Sequence, residues 1–469
     1  LRLKEKISNY NIKSRWNGHG GYREVTNLAA PLIVSTGAVG IQEFVDRMFL
    51  SWYSTDAIAA ALPSGILIFV ILALFLGTAM YVSTFVAQYF GAGRHDRIGP
   101  STWQGIYIAV IGGGVCIALV PLAPALFKAI GHSAEVQALE VVYFRIMCYG
   151  AFFPIASSAL SGFFAGLGRT GPVMWVNIAA TGVNVILNYL MIFGKMGLPR
   201  MGIAGAALAT VISTAVGFFL FLILILRAPN RNNYNTGKGL LLDKDLFARL
   251  LRFGLPNGVH FQIEILGFTT FVLLVGRLGT VELAATNIAI NINSLAFMPM
   301  LGLGMAVSVL VGQYLGENRV DLAQRSVYSG LLLSILYMGV LVILYVFIPN
   351  VFAGAFSTKS DPVTSKQIQQ VAVILLRFVA IYCIFDGINI IFSSAIKGAG
   401  DTRYVMVMTL VLSTSLLIFP SFLTIVVLHR GIYLAWAFVT LYIVTLGFGF
   451  LFRFLSGKWK SMRVIEEAG

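Results

Sequence analysis

Val86-Ala87-Gln88-Tyr89-Phe90-Gly91-Ala92-Gly93-Arg94-His95-Asp96 returns 225 residues later as Val311-Gly312-Gln313-Tyr314-Leu315-Gly316-Glu317-Asn318-Arg319-Val320-Asp321. Over residues 76–96, 11 of 21 positions are identical to their counterparts at that offset. The same offset lays Pro31 on Pro256, Thr55 on Thr280 and Ala59-Ala60 on Ala284-Ala285, which a chance match of one segment would not do. At an offset of 232, Arg145 falls on Arg377, Phe153 on Phe385, Ser161 on Ser393, and Gly166-Leu-Gly168-Arg-Thr170 on Gly398-Ala-Gly400-Asp-Thr402. The chain is one unit used twice.

The composition says what kind of unit. The 469 residues are 58% hydrophobic and only 11% charged, with a mean hydropathy of +0.85, against about 25% charged in a soluble domain. This is an integral membrane protein. A helix needs about 20 apolar residues to cross the hydrocarbon. Twelve such runs occur, near 27–50, 57–88, 102–128, 136–165, 173–194, 202–226, 253–276, 283–314, 328–355, 368–396, 404–428 and 432–455. The expected fold is therefore all-α, with twelve transmembrane helices in two six-helix lobes. Six is even, so both halves enter from the same side and the repeat is parallel.

The expected organisation is an N-terminal arm (1–24), an N-lobe (25–226), a polar interlobe linker (227–252), a C-lobe (253–455) and a C-terminal tail (456–469). With alternating sides, 23 Lys and Arg fall on the side of the termini and 8 on the other, with Arg145 and Arg377 inside runs. The positive-inside rule then puts both termini in the cytoplasm of a multi-pass inner (plasma) membrane protein. The net charge of +14 sits in short connections, where it attracts anionic lipid and not nucleic acid. Cys116, Cys148 and Cys383 lie in apolar runs without metal or disulfide spacing. No phosphate-loop, His-Glu-x-x-His or Gly-x-Ser-x-Gly pattern occurs. Gly166-Leu-Gly168-Arg-Thr-Gly171 follows a membrane helix, not a strand, and reads as a tight turn. The chain is not expected to be an enzyme or to hold a cofactor.

The function is read from where the repeat fails. Glu264 aligns with Val39, Asp386 with Pro154 and Asp46 with Phe271. An ionisable group in hydrocarbon costs a few kcal/mol at least and marks an ion or substrate path. The scaffold does not need these carboxylates twice, so they point to a site. Arg145 and Arg377 occupy matching positions and read as structural pins. Tyr382 precedes Asp386 by four residues and shares its helix face, and Asn389 lies near it. Glu43 stands three residues before Asp46 with Arg47 beside it, and His260 one turn before Glu264. Gln262, Asn287 and Asn291 are candidates to line a cleft or to bond helix to helix. Phe261, Phe268, Met298 and Met300 are candidate wall residues for flat apolar cations.

Phe44-Val-Asp46-Arg-Met-Phe-Leu with Asp56-Ala-Ile-Ala-Ala-Ala, the Val86–Arg94 segment, Gly166-Leu-Gly-Arg-Thr-Gly-Pro172, Asn184-Val-Ile-Leu-Asn188-Tyr and Gly205-Ala-Ala-Leu-Ala-Thr210 resemble, in order and spacing, the multidrug and toxic compound extrusion (MATE) family. The resemblance covers roughly residues 25–455 and is to its NorM-like subgroup. It implies a V-shaped, two-lobed architecture and export of mostly cationic organic compounds in exchange for entering Na+ or H+. It also implies that Glu264, Asp386 and Tyr382 form a C-lobe site for coupling cation or substrate, and that Asp46, Asn184 and Thr210 form an N-lobe cation site. Asn188 stands where many relatives carry aspartate, which leaves that site one formal charge. Na+ is expected either at Asp46 or at Glu264 with Asp386. Proton coupling needs only a carboxyl of raised proton affinity, and the sequence does not choose between the ions.

The expected mechanism is alternating access, the ion and a small organic cation competing for the same carboxylates. The expected partners are such cations and membrane lipids, with a monomer as the working unit. The alternative is a lipid-linked oligosaccharide flippase, whose cavity should offer Arg or Lys to a diphosphate, often on fourteen spans.

Overall fold

The computed structural model of the protein describes residues 16–356 and 362–466. Among them every regular element is helical: α1 (Tyr22–Tyr53), α2 (Thr55–Met80), α3 (Val82–Gly91), α4 (Ile98–Leu119), α5 (Ala123–Ile130), α6 (Ala134–Gly150), α7 (Phe152–Gly166), α8 (Thr170–Phe193) and α9 (Ile203–Leu226) from the first half. The second half follows with α10 (Ala228–Tyr234), α11 (Lys244–Val275), α12 (Thr280–Gly316), α13 (Val320–Phe347), α14 (Pro349–Gly354), α15 (Pro362–Ala399), α16 (Thr402–Leu412), α17 (Phe419–Phe422) and α18 (Ile432–Leu455). Hydrocarbon offers backbone amides no partner, so a spanning segment closes its own hydrogen bonds as a helix. Eleven spans are long and apolar enough to cross a membrane, and α6 with α7, bent by 42° at their junction, makes a twelfth.

That bend has a covalent cause. Pro154 sits in the first turn of α7, where its ring removes an N–H that would have bonded across the junction. The second half has Asp386 at that position, and α15 runs unbroken. The eleventh span is interrupted differently, by wide turns at Ser413–Ile418 and Leu423–Val427 on either side of α17. Pro420 lies between them, and its missing donor leaves the carbonyl one turn back to be bridged by a wider turn.

The repeated glycines are explained by contact. A Cβ on Gly166 would stand 2.6 Å from the Ser83 carbonyl oxygen, and one on its counterpart Gly398 would stand 2.5 Å from that of Ser308. Such close approach lets helices pack where no hydrophobic drive joins them in lipid. Two residues on, Gly168 (φ 73°) and Gly400 (φ 114°) both turn the chain with positive φ, which L-residues resist. The Gly-x-Gly pattern is thus a packing contact followed by a turn.

Packing divides the chain into two units at points the polarity pattern does not mark. Among the described residues, the N unit holds Val34–Gln262, Gly316–Asn318 and the tail from Val464, and the C unit holds the chain up to Ile33, Ile263–Leu315 and the stretch from Arg319 to Arg463. Each half's first helix therefore begins in the other half's unit, and the change of unit falls soon after Pro31 in α1 and Pro256 in α11. The linker is tied down in the N unit: Trp103 donates to the Thr236 carbonyl (2.8 Å), Thr236 to that of Ile225 (2.9 Å), and Asn230 to that of Leu224 (2.9 Å).

The tail is anchored too. Inside the N unit the Glu466 carboxylate receives Tyr89 Oη and Arg94 (2.7 Å each) and Arg249 (3.1 Å), with Arg97 at 3.4 Å. The Val464 N–H donates to Gln88 Oε1 (2.8 Å). Burial alone would raise the Glu466 carboxyl, but the bond from Tyr89 and the guanidinium groups of Arg94 and Arg97 outweigh it and hold the carboxyl at about 2. A lowered folded-state value means that the anchor's contribution is complete above the ordinary value of about 4.5 and fades as pH falls towards 2. Tail anchoring is therefore expected to be constant from pH 5 to 8. Glu466→Gln should weaken it throughout that range, read as faster tryptic cleavage after Arg463; equal cleavage of variant and wild type would count against the anchor.

Candidate functional site

Two clusters of polar side chains lie inside the spans, one in each unit. In the N unit, Asn177, Thr181, Asn184 and Asn188 recur on α8 at i, i+4, i+7 and i+11, which places them on one face. That face meets α1: Asn177 donates to Ser35 Oγ (2.6 Å) and Thr181 to the Ala38 carbonyl (3.3 Å). Asn188 donates through Nδ2 both to Asp46 Oδ1 and, at 2.8 Å, to Asn184 Oδ1. Asn184 in turn donates to Thr210 Oγ1 and Ser213 Oγ on α9, each at 3.4 Å. Asn184 and Asn188 are fully buried. All four residues expected together from the sequence are joined in one network.

The network has one open valence: Asn188 Oδ1 is buried and accepts from no donor. An unpaired buried acceptor costs about 1–3 kcal/mol. Beside a carboxylate, it is the condition a bound cation would relieve. Asp46, Asn184 Oδ1, Asn188 Oδ1 and Thr210 Oγ1 are all oxygens, the donors a hard cation takes. Sequence reasoning missed Ser213 and also Tyr143 on α6, which interacts electrostatically with Asp46 and Glu43. Glu43 itself pairs with Arg47 at 3.7 Å, both half exposed.

In the C unit, Glu264, Gly267, Phe268 and Phe271 share a face of α11. Gly267 admits Ser413 Oγ to within 2.7 Å of where its Cβ would be, Phe268 packs on Tyr442 (6.5 Å between ring centres), and Phe271 on Trp436 (6.0 Å). Asp386 on α15 is buried and accepts from Asn389 Nδ2 at 3.4 Å, with Tyr382 buried one turn earlier. Glu264 and Asp386 interact electrostatically, and Tyr442 on α18 interacts with both. Tyr382 interacts electrostatically with Asp386 as well.

Two members of this cluster are not expected from the sequence. Tyr442 reads there as one more aromatic in an apolar run. Lys397 falls just beyond an apolar run ending at 396 and reads as a connection residue, but α15 continues to Ala399 and Lys397 interacts electrostatically with Glu264. Its signal is helical spacing from Asp386. Among the described residues no three His, Cys, Asp or Glu side chains gather to hold a metal.

The remaining candidates scatter. Gln262 donates to the Val70 carbonyl (3.1 Å), a helix-to-helix bond within the N unit, where His260 is also buried. Glu264 follows in the C unit. Asn287 and Asn291 line a cavity of about 340 Å³ in the C unit with Ser365 and Gln369, Asn291 donating to the Asn287 carbonyl (2.8 Å).

A family model, MatE, matches residues 31–190 and again 256–423. The chain belongs to the MatE family. The two matches begin 225 residues apart, the offset of the repeat. The probable multidrug resistance protein NorM of Thermotoga maritima is 26% identical over 450 residues, covering 95% of this chain and 94% of its own. The multidrug resistance protein NorM of Burkholderia vietnamiensis is 29% identical over 386 residues, 82% of each chain. A MOP-superfamily transporter from Pyrococcus furiosus superposes with a TM-score of 0.84 over 96% of this chain and 98% of its own, at 18% identity. An outward-facing multidrug resistance MATE family transporter gives 0.85 over 96% and 98%, also at 18% identity. The MATE protein described here is NorM-like, all-helical and not an enzyme.

Asn188→Leu removes the donor to both Asp46 and Asn184. A drop in the thermal unfolding midpoint is expected, from a loss of about 1–3 kcal/mol. With Asp46→Asn already present the same substitution should cost less, because coupled partners are not additive; equal costs in the two backgrounds would mean that Asn188 does not serve Asp46.

Proposed function

We propose that this MATE protein is a secondary active multidrug exporter, exchanging organic, mostly cationic compounds for entering Na+ or H+ by alternating access. The observation that carries the reading is the buried Asn188 oxygen left without a donor beside Asp46. A cation entering there satisfies both groups, and the oxygen donor set favours Na+ as the first ion to test. In the C unit, Glu264 and Asp386 supply carboxylates to a cationic compound, with Phe268 and Tyr442 as aromatic faces. Multidrug resistance proteins among the relatives support the same class of cargo. Ion and compound must compete, since a ligand that binds both states equally shifts nothing. The reading places both termini in the cytoplasm, by the bias of basic residues.

The experiment is ethidium efflux from proteoliposomes under separately imposed Na+ and H+ gradients, for wild type and for Asp46→Asn, Glu264→Gln and Asp386→Asn. One gradient should drive export in the wild type. Each substitution should lower the rate at least tenfold (~1.4 kcal/mol) while the protein stays folded. Normal transport by all three variants would make the carboxylates structural, and no movement under either gradient would sink the exporter reading.

A further inference from the structure

We propose that Arg94, Arg97, Arg249 and Tyr89 form a binding site for a phosphomonoester-type dianion, and that the Glu466 carboxylate is a tethered occupant which the phosphate displaces. All of these residues belong to the N unit. Arg94 Nη2 meets Glu466 Oε1 at 2.7 Å, and Arg97 Nε lies 3.4 Å from the same oxygen. Arg249 Nη1 meets Oε2 at 3.1 Å, and Tyr89 Oη donates to it at 2.7 Å. Four side chains thus aim donors at one small acceptor. The Tyr89 side chain is fully buried, and Arg94 lies over its ring, 5.4 Å from the centre, which fixes that guanidinium in place. The three arginines are 28–37% exposed and can be reached from outside.

Charge selects the ligand. Asp243, 3.1 Å from Arg97, is the second carboxylate of the cluster. With Glu466 in place three guanidinium groups face two carboxylates, and with it withdrawn they face one, a surplus of two positive charges. A phosphomonoester carries about −1.5 to −2 at pH 7 and three acceptor oxygens, and arginine binds phosphate in the same forked geometry as carboxylate. The repeat shows that the scaffold does not require this charge. In the C unit Tyr314 meets Glu24, with the Gly20 amide as a second donor. Leu322 and Glu24 stand there where the N unit has Arg97 and Arg249. Glu24 is part of α1, whereas Glu466 lies beyond α18 and can withdraw without unwinding a span. The arginines also flank the apolar runs 57–88, 102–128 and 253–276, the level at which basic residues meet anionic headgroups. A lipid such as phosphatidic acid and free phosphate present the same dianion to them.

The test places the purified full chain in phosphatidylcholine nanodiscs, with or without phosphatidic acid, and reads tail release as tryptic cleavage after Arg463. A tethered carboxylate competes at an effective concentration in the millimolar range, so its displacement by the lipid should speed wild-type cleavage about tenfold. Glu466→Gln, already released, should be cleaved fast with or without the lipid. Inorganic phosphate added to phosphatidylcholine discs separates the sources: acceleration there as well identifies free phosphate as a ligand, and acceleration by the lipid alone identifies the headgroup. In detergent, Glu466→Gln should bind a short-chain fluorescent phosphatidic acid about tenfold more tightly than the wild type, and Arg94→Gln with Arg249→Gln should abolish that gain. Wild-type cleavage unchanged by both lipid and phosphate overturns the proposal, and this arm needs no variant. Equal acceleration of wild type and Glu466→Gln, a bulk effect of membrane charge on the protease, overturns it too, as does a gain in affinity that survives without the two arginines.

Discussion

Hydrocarbon does not solvate a charge or an open backbone bond, and nearly every feature of this molecule answers that constraint. The backbone is helical wherever it crosses. Inside the spans, carboxylates are found with company: Asp46 with Asn188, Asp386 with Asn389, Glu264 with Lys397, and Glu140, fully buried, with His132 at 2.7 Å. Where company is incomplete, as at Asn188 Oδ1, the molecule holds an unmet demand for positive charge. Under the proposed exchange, an entering cation would meet that demand.

Duplication explains how that demand is accommodated without losing the fold. The two halves share the contacts that hold helices together, Gly166 against Ser83 and Gly398 against Ser308. They differ where a helix can tolerate change. At one position the first half has Pro154 and a 42° bend, while the second has Asp386 on an unbroken helix. One substitution exchanges a backbone break for a charge. The eleventh span recovers irregularity by other means, through Pro420 and its wide turns next to Ser413.

The same duplication is visible at the ends of the chain. In the C unit, Tyr314 Oη donates to the Glu24 carboxylate at 2.7 Å, and the Gly20 N–H donates to that carboxylate at 2.6 Å. In the N unit its counterpart Tyr89 donates to Glu466 at the same distance. The residue matching Glu24 is Arg249, which cannot accept a hydrogen bond. The tail supplies the missing carboxylate, and Arg249 becomes one of its cations. A tyrosine–carboxylate contact is thus kept in both units with the acid drawn from opposite ends of the chain.

The sequence by itself determined the class, the twelve spans, the repeat and the family, because hydropathy, duplication and motif order are one-dimensional properties. It also singled out Asp46, Glu264 and Asp386 as candidates, since a carboxylate within an apolar run is costly wherever the chain folds. Tertiary structure decided the rest. That Asn184, Asn188 and Thr210 close on Asp46 follows from how α8 and α9 pack against α1. Lys397 joined the site because α15 outlasts its apolar run by a turn, and hydropathy reports burial in lipid, not helix length. Tyr442 and Ser413 were illegible because nothing in a sequence says which face of α18 or which wide turn packs on α11 at Phe268 and Gly267. The division at Gln262 and Ile263 was equally hidden: α11 is continuous in composition, and only packing shows that its two ends belong to different units.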